Sequence, residues 1–381
     1  MKVTFPHMGS MYIPIRVLLE TAGIDYIMPP YCIKGPLELG IMHSPEFACL
    51  PFKTILGDFI YGLENGADFI LFCGGRGQCR LGYYGDLQGE ILKSLKYKAE
   101  FVCLDLTNLT AKEILNKIKP LTEGKSVFKI VKSIIYALKT VFWVDKIDKL
   151  ARYTRCREKS KGQTDRIISK FHNRVQKVTG YRNINGIINS TIKALMQVPV
   201  DKRLKPIKVS IVGEMYICAH PLINFEIEKK LGNMSVEVHN NLSISHWISE
   251  YSIKKMLPFK LKNKSLEAGK EFIKTDDIGG HGIHTIGYSI LSARNNLDGV
   301  IHLYPLTCMP EIIAQCAFSE IQKKYSIPIM TLIIDEMTGE SGYMTRLEAF
   351  IDMLEMKRDQ DLNYLSGISN CKKLKNMSQE G

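Results

Sequence analysis

The chain has 381 residues, of which 45% are hydrophobic and 24% charged, values typical of globular proteins with two or three domains. No apolar run approaches the roughly 18 residues of a membrane span, and the N-terminal residues lack the apolar core of a signal peptide. We therefore expect a cytoplasmic protein without a membrane segment, in which the ten cysteines do not form a disulfide framework.

Short apolar runs alternate with helical patterns over residues 1–120. This alternation is typical of a parallel sheet with helices on both faces, and we interpret it as an N-terminal α/β lobe. The predicted strands are 3–5, 25–28, 68–72 and 101–106. The predicted helices are 12–21, the stretch between Cys49 and Asn65, 86–96 and 111–118.

Residues 121–207 form a basic middle segment. They contain 20 Lys and Arg against 6 Asp and Glu, a local charge of +14 in a chain with a net charge of +12. Long helices are predicted at 126–150 and 164–196, with the basic side chains on an exposed face. A solvated surface, an acidic partner and an anionic substrate all fit this charge. Nucleic acid is the weakest alternative, because the chain has no RNP, zinc-finger or helix-turn-helix signature.

The alternation of strands and helices resumes at residue 208. Residues 208–356 are interpreted as a C-terminal α/β lobe, and 357–381 as a polar tail with frayed structure. The sequence thus predicts two tandem flavodoxin-like or Rossmann-like lobes with parallel sheets, joined by a helical middle segment. The predicted strands are 208–213, 236–239, 299–304 and 329–334. The predicted helices are 244–256, 266–273, 282–295, 311–324 and 343–354.

Three cysteines lie at the ends of predicted elements. Cys49 and Cys308 each begin a Cys-x-Pro sequence, and proline is favoured in the first turn of a helix. Cys79 ends a glycine-rich loop after the strand at 68–72, and Cys73 begins that loop. Because a helix N-terminus favours a thiolate, we expect Cys49 and Cys308 to be ionised metal or cluster ligands.

The spacing of these cysteines argues against a structural zinc site, since the chain has no Cys-x-x-Cys pair. Thiolates that come from distant loops into one cleft suit an iron–sulfur cluster better than zinc. Any one of these cysteines taken alone could also be a buried, inert residue. We interpret the other six in this way, namely Cys32, Cys103, Cys156, Cys218, Cys316 and Cys371.

Several other residues are weaker candidates. Glu46, Arg80 and Glu336 are the candidates for catalysis. Arg80 and Arg76 fit either the holding of an anion or the offsetting of the charge of a cluster, or are solvated loop arginines. The glycines of 279–282 fit either a phosphate-binding turn or a simple tight turn. Three carboxylates near the last strand fit either acid–base chemistry or capping of the following helix, namely Asp335, Glu336 and Glu340.

Six stretches of the sequence together form one pattern. They are SPEFACLPFK at 44–53, GGRGQCRLGYY at 74–84, GE at 213–214, DGVIHLYP at 298–305, CMPE at 308–311 and IDEMTGESGYMTRLEAFIDML at 334–354. This pattern resembles the 2-hydroxyacyl-CoA dehydratase-like superfamily, in its acyl-CoA dehydratase activase-related (CoA-activase-associated) branch. The resemblance covers nearly the whole chain except the middle helices and the tail.

The resemblance implies a [4Fe–4S] cluster between the lobes, with Cys49, Cys79 and Cys308 as ligands and Cys73 as a fourth candidate. It also implies electron delivery from a separate ATP-hydrolysing activase with an actin-like fold. In the dehydratases of this superfamily, one low-potential electron makes a ketyl radical from a CoA thioester and enables loss of water. The nucleotide-binding motif of the activase itself is not seen in this chain.

Two hypotheses of function follow. In the first, the chain is a dehydratase or low-potential reductase, and an open iron site next to three cysteine ligands binds the substrate oxygen. In the second, it is a non-catalytic electron carrier or scaffold that docks the activase through the basic middle segment. The substrate, a single or a joined cubane, and assembly as a homodimer or heterodimer are left open by the sequence.

Overall fold

Two parallel β-sheets of four strands each organise the chain, so the fold class is α/β as predicted. The computed structural model describes residues 1–74, 79–105, 111–243, 245, 263–274 and 278–377, and beyond residue 360 only the backbone. In this described part, no helix has the length and apolar character needed to cross a membrane.

The first sheet has the strand order β2-β1-β3-β4, with Val3 of β1 paired to both Tyr26 and Phe69. Its strands are β1 (Lys2–Thr4), β2 (Asp25–Ile27), β3 (Phe69–Gly74) and β4 (Glu100–Asp105). The helices of this part are α1 (Tyr12–Ala22), α2 (Lys34–His43), α3 (Leu50–Glu64), α4 (Leu81–Ser94), α5 (Ala111–Lys117) and α6 (Lys119–Thr122). Each predicted strand is present with shifts of one or two residues.

Helix α2 is not among the predicted elements. It packs against α3 at backbone distance, because a Cβ on Gly40 would lie 1.7 Å from the carbonyl oxygen of Lys53 and one on Gly57 equally close to that of Pro36. Only glycine permits this approach at either position. The crossing fixes α3, and with it the residue before its first turn, Cys49.

The middle segment folds into three helices, α7 (Val127–Arg155), α8 (Gln163–Gln176) and α9 (Tyr181–Met196). The prediction of one helix over 164–196 is wrong, because the chain turns at 177–180, where Gly180 has a φ of 82°. These helices share a core with α1, in which Tyr12 and Val17 are grouped with Ile147 and Phe171. The middle segment therefore packs on the N-terminal part through apolar side chains.

The basic residues of the middle segment do not all lie on an exposed face. Arg152, Arg155 and Arg157 are largely buried and form ion pairs with Glu228, Asp165 and Glu237. Two of these pairs, those with Glu228 and Glu237, reach the C-terminal part of the chain. Most of the other basic residues of this segment are exposed, among them Lys129, Lys132 and Arg174.

The second sheet repeats the first, with the order β6-β5-β7-β8. Its strands are β5 (Lys208–Gly213), β6 (Glu237–Asn240), β7 (Gly299–Pro305) and β8 (Ile329–Ile334). All seven residues of β7 are buried, as expected for a central strand. The helices are α10 (Met215–Ala219), α11 (Ile227–Asn233), α12 (Lys264–Gly269), α13 (Gly282–Arg294), α14 (Met309–Cys316), α15 (Phe318–Tyr325) and α16 (Glu340–Met377).

The predictions for this second part hold for the strands and less well for the helices. Helices α10 and α11 are not among the predicted elements, and the helix expected over 311–324 is interrupted at Ala317. The last helix continues to Met377, beyond the expected end at 354. The helix predicted over 244–256 lies outside the described residues.

The two lobes share one hydrophobic core, formed by α3 and β3 on one side and β5 and β7 on the other. Polar contacts accompany it. The hydroxyl of Tyr216 donates to the carbonyl oxygen of His7 at 2.6 Å, and the N–H of His7 donates to Oδ2 of Asp58 at 2.8 Å. A Cβ on Gly9 would lie 2.2 Å from the carbonyl oxygen of Ala219, so the loop after β1 presses directly on α10.

The buried carboxyl of Asp58 generates a prediction about pH. Burial raises the pKa of Asp58 to about 8, although the N–H of His7 lowers it. The pKa of an unfolded aspartate is about 4, so the folded chain binds the additional proton. The free energy of unfolding should therefore fall as the pH rises from about 5 to about 8, by up to about 1.4 kcal/mol per pH unit from this group.

Replacing Asp58 by Asn should remove this part of the pH dependence. Urea unfolding of the wild type and of Asp58→Asn, measured at several values in that pH range, gives the comparison. As the pH rises, the free energy of unfolding of the wild type should fall relative to that of the variant. Two parallel pH profiles would contradict the assignment of a raised pKa to Asp58.

Candidate functional site

Cys49 and Cys308 occupy equivalent positions in the two halves of the chain. Cys49 is the N-cap residue of α3 and Cys308 is the N-cap residue of α14, and each helix has a proline in its first turn. Both residues have extended backbone angles, so the chain turns into the helix directly after the cysteine. The Cys-x-Pro pattern therefore identified two helix starts correctly.

Arg80 brings the loops of the three candidate cysteines together. Its guanidinium donates to the carbonyl oxygen of Phe47 at 3.4 Å and to Oγ1 of Thr307 at 2.7 Å, and also bonds the Thr307 carbonyl. A Cβ on Gly280 would lie 3.8 Å from Cβ of Cys79 and 3.0 Å from Cγ of Pro310. The loops that carry Cys49, Cys79 and Cys308 thus meet at the carboxyl-terminal edges of both sheets.

The thiols are close enough to influence one another electrostatically. Burial raises the pKa of Cys49 to about 11, and the neighbouring charge of Cys79 acts in the same direction. Burial also raises the pKa of Cys308 well above its usual range, with further increases from Glu311, Glu214 and Cys79. The structure therefore brings the three cysteines of the sequence pattern into one neighbourhood.

The expectation that the helix N-termini make Cys49 and Cys308 thiolates is wrong for the chain without a bound cation. The hydroxyl of Tyr84 lies 2.5 Å from Sγ of Cys49 and lowers its pKa, yet burial outweighs this hydrogen bond. At Cys308, two nearby carboxylates add to the effect of burial. Both thiols are consequently protonated at neutral pH.

Two carboxylates next to the cysteines were not among the candidates from the sequence. Glu214 caps α10, accepting from the N–H of Tyr216 at 3.0 Å and from that of Ile217 at 2.8 Å, and burial raises its pKa to about 7. Glu311 is only 1% exposed, and Nε2 of His302 lies 2.9 Å from its Oε2. Within the described residues, Oε1 of Glu311 has no hydrogen-bond partner.

Both carboxylates lie in stretches of the sequence pattern, the GE after β5 and the CMPE at the start of α14. The motifs therefore contained a signal for them. Glu311 lies only three residues after Cys308 in sequence, whereas Glu214 and Cys49 are brought together by the fold alone.

The weaker candidates have mainly structural contacts. Nζ of Lys53, a residue that is 3% exposed, binds the Glu336 carboxylate and donates to the carbonyl oxygen of Glu46 at 3.1 Å. The side chain of Glu46 is exposed. Oδ1 of Asp335 accepts from the N–H of Met337 and the hydroxyl of Thr338, which stabilises the turn after β8.

The remaining candidates stand apart from the three cysteines or make structural contacts. Cys73 is exposed on β3, and the neighbouring thiol whose charge affects its pKa is that of Cys103, which is not a candidate ligand. Gly279 and Gly280 both have positive φ, the geometry of a tight turn. Glu340 pairs with Lys230. Arg76 lies outside the described residues, and for Cys371 only the backbone is described.

Within the described part of the chain, no three His, Cys, Asp or Glu side chains form a group that could hold a metal ion. Ligands of one metal ion lie about 4 Å apart, because each metal–sulfur bond is about 2.3 Å long. The sulfurs around a cubane cluster are further apart, at about 6–7 Å. The lack of a single-ion site among the described residues therefore says little about a cluster.

Comparison of the sequence with protein-family models and with curated proteins returns no significant match. The resemblance of the six motifs to the dehydratase-like superfamily therefore stays a prediction, and the function has to be argued from the residues of the site.

The protonated state of the buried thiols can be tested by alkylation of the metal-free protein. Cys308 and Cys316 lie at opposite ends of α14, the first buried and the second exposed. A pKa raised from about 9 to about 11 reduces the thiolate fraction at neutral pH about a hundredfold. Iodoacetamide at about pH 7.5 should therefore modify Cys316 well before Cys49 and Cys308, as measured by peptide mass spectrometry. Faster modification of Cys308 would show that the helix N-terminus, and not burial, decides its ionisation.

Proposed function

We propose that this chain is an iron–sulfur redox protein of the 2-hydroxyacyl-CoA dehydratase type, in which Cys49, Cys79 and Cys308 hold a [4Fe–4S] cluster between two flavodoxin-like lobes. The convergence of these three thiols from three separate loops is the observation that supports the proposal most. The strand order 2-1-3-4 in each sheet matches the beginning of the flavodoxin-like order. In such folds, sites form outside the carboxyl ends of the strands, where all three cysteines lie.

The residues around the thiols suit an iron–sulfur cluster. When bound, the cluster supplies one-electron chemistry at low potential. The guanidinium of Arg80, the residue next to Cys79, offsets negative charge at the site. The Tyr84 hydroxyl is placed to donate to Sγ of Cys49, and hydrogen bonds to ligating sulfurs raise the reduction potential. Since Cys49 and Cys308 are protonated without metal, their ligation releases two protons.

Glu311 is the polar group that this chain offers to a substrate beside the thiols. His302 holds its Oε2, and its buried Oε1 is left to accept a hydrogen bond. A buried acceptor without a partner costs about 1–3 kcal/mol, and a substrate hydroxyl would satisfy it. In the elimination of water, Oε1 is the atom at which this chain would hold a proton.

The electron donor in this proposal is a separate ATP-hydrolysing activase with an actin-like fold, and the substrate is a CoA thioester. In the basic middle segment, the exposed lysines of α7 and exposed basic residues of α8 such as Arg166 and Arg174 could meet an acidic surface of the activase. Exposed charge pairs are screened by salt, so this docking should weaken as the ionic strength rises.

Substitution of Cys308 tests the cluster, with Cys316 as the matched control on the same helix. Cys308→Ala deletes a thiol of the converging group, whereas Cys316→Ala deletes an exposed one. After anaerobic reconstitution, Cys308→Ala should lose most of its iron, its sulfide and its EPR signal, and Cys316→Ala should retain them. Equal iron and sulfide in both variants would refute ligation by Cys308. The circular dichroism spectrum of each variant shows that the fold is kept.

The variant Glu311→Gln distinguishes an enzyme from an electron carrier. Gln keeps the shape and one oxygen but cannot take up a proton, so turnover of a 2-hydroxyacyl-CoA with activase and reductant should fall at least tenfold while the cluster content stays unchanged. If the wild-type protein is reduced by the activase but no thioester turns over, the chain is an electron carrier.

A further inference from the structure

A cavity apart from the cysteine site lies where the two lobes and the middle segment meet. Its volume is about 490 Å³, within the range of sites for small organic ligands. Ser10 and Tyr31 from the loops after β1 and β2 line it, together with α7 and α8 and with residues around α11 and β6. None of the three candidate cluster cysteines contributes to its lining, so it is separate from the site described above.

The lining of this cavity has more negative than positive groups. The acidic groups are Asp145, Asp148, Asp165, Glu226 and Glu228, and the basic ones Arg152, Arg155 and Lys229. Each basic residue is committed to one carboxylate, in pairs of 3.2 Å for Arg152 with Glu228, 2.7 Å for Arg155 with Asp165 and 2.8 Å for Lys229 with Glu226. Two aspartates, Asp145 and Asp148, form no ion pair at contact distance among the described residues, although the charge of Arg152 acts on both.

Asp148 is the group that most needs a ligand. Asp145 accepts from the N–H of Ser245 at 2.7 Å, whereas Asp148 makes no hydrogen bond or ion pair within the described part of the chain. Burial raises the pKa of Asp148 to about 7; Arg152 lowers it, and the carboxylates of Glu228 and Asp145 raise it. The side chain of Asp148 is only partly buried, and a carboxylate without a hydrogen bond in such a position gains from a cation that enters the cavity.

An aromatic wall accompanies these carboxylates. The rings of Tyr31 and His172 are stacked, with centroids 4.6 Å apart and planes at 14°. The hydroxyl of Tyr12 lies 3.0 Å from Nδ1 of His172, which fixes the imidazole. Burial lowers the pKa of His172 to about 4, so the imidazole is neutral at physiological pH and does not offset the aspartates.

We propose that this cavity binds a small organic cation, with its ammonium group paired to Asp148 and its carbon skeleton against the ring of Tyr31. Aromatic faces and carboxylates both attract cations, and their combination is typical of sites for amines. The size of the cavity and its aromatic wall favour an organic cation over a bare metal ion, which would need a compact set of oxygen ligands.

Isothermal titration calorimetry with four probes tests this proposal on the full-length protein. Putrescine is the organic dication, 1,4-butanediol its neutral analogue, succinate its anionic analogue and Mg²⁺ the bare metal ion. Putrescine should bind, and the other three should not. Binding of succinate would show that the arginines dominate the cavity, and binding of Mg²⁺ alone would make it a metal site. Either result, or no binding of putrescine, overturns the proposal.

Two aspartate variants locate the binding site. Asp148→Asn should weaken putrescine binding at least tenfold, and Asp145→Asn should weaken it as well. Asp352→Asn, which removes an exposed carboxylate on α16, should bind like the wild type. Thermal unfolding confirms that each variant is folded, and Asp148→Asn should be at least as stable as the wild type because burial disfavours the charged carboxylate that it removes. Unchanged affinity in both cavity variants places the amine elsewhere and refutes the proposal.

Discussion

Lys53 and Arg80 hold the carboxyl-terminal edges of the two sheets against each other, and the geometry of the cysteine site depends on these two cations. Lys53 is buried in α3 and pairs with Glu336 after β8, which links the two lobes. Loss of this pair would be strongly unfavourable, because it would leave a buried ammonium group without a partner. Arg80 joins the loop before α3 to the loop before α14. Cys49 follows the first of these loops and Cys308 ends the second, while Cys79 precedes Arg80 itself. Contacts between the lobes therefore help to position the three thiols, in addition to the packing of α2 on α3 within the first lobe.

The repeated strand order explains why two sites arise side by side. In the first sheet, β2 pairs with one side of β1, and the chain then crosses to the other side, where β3 pairs. In the second sheet, β6 and β7 flank β5 in the same way. The loops of Cys79 and Cys308 follow β3 and β7, whereas the acidic cavity lies on the side of β2 and β6. Helix α10 lies between them: Glu214 at its start acts on the thiols, and Cys218 and Ala219 at its end line the cavity. Because this helix has only five residues, a ligand bound at either place would lie close to the same short element.

The strands could be predicted from the sequence because each is a short apolar run between turn signals, and β8 has the predicted bounds of Ile329–Ile334. The helix starts at Cys49 and Cys308 could be predicted because proline marks a first turn. Short helices such as α2 and α10 could not, since their formation depends on close packing at Gly40 and on capping by Glu214. The ionisation of the cysteines and the burial of Arg152 were inaccessible for a similar reason. Both depend on side chains that only the tertiary fold brings near.

The energies at Cys49 show why a metal would change the site more than a mutation nearby. A helix N-terminus stabilises an anion by about 0.3–1 kcal/mol. Raising the pKa of this thiol from about 9 to about 11 corresponds to roughly 3 kcal/mol in the opposite direction, so burial dominates when no cation is present. The same low-dielectric surroundings strengthen the attraction between a thiolate and a bound cation. The environment that keeps these cysteines protonated in the free protein is therefore the environment that would hold their thiolates tightly on iron, and the helix N-termini at Cys49 and Cys308 would then add to the binding.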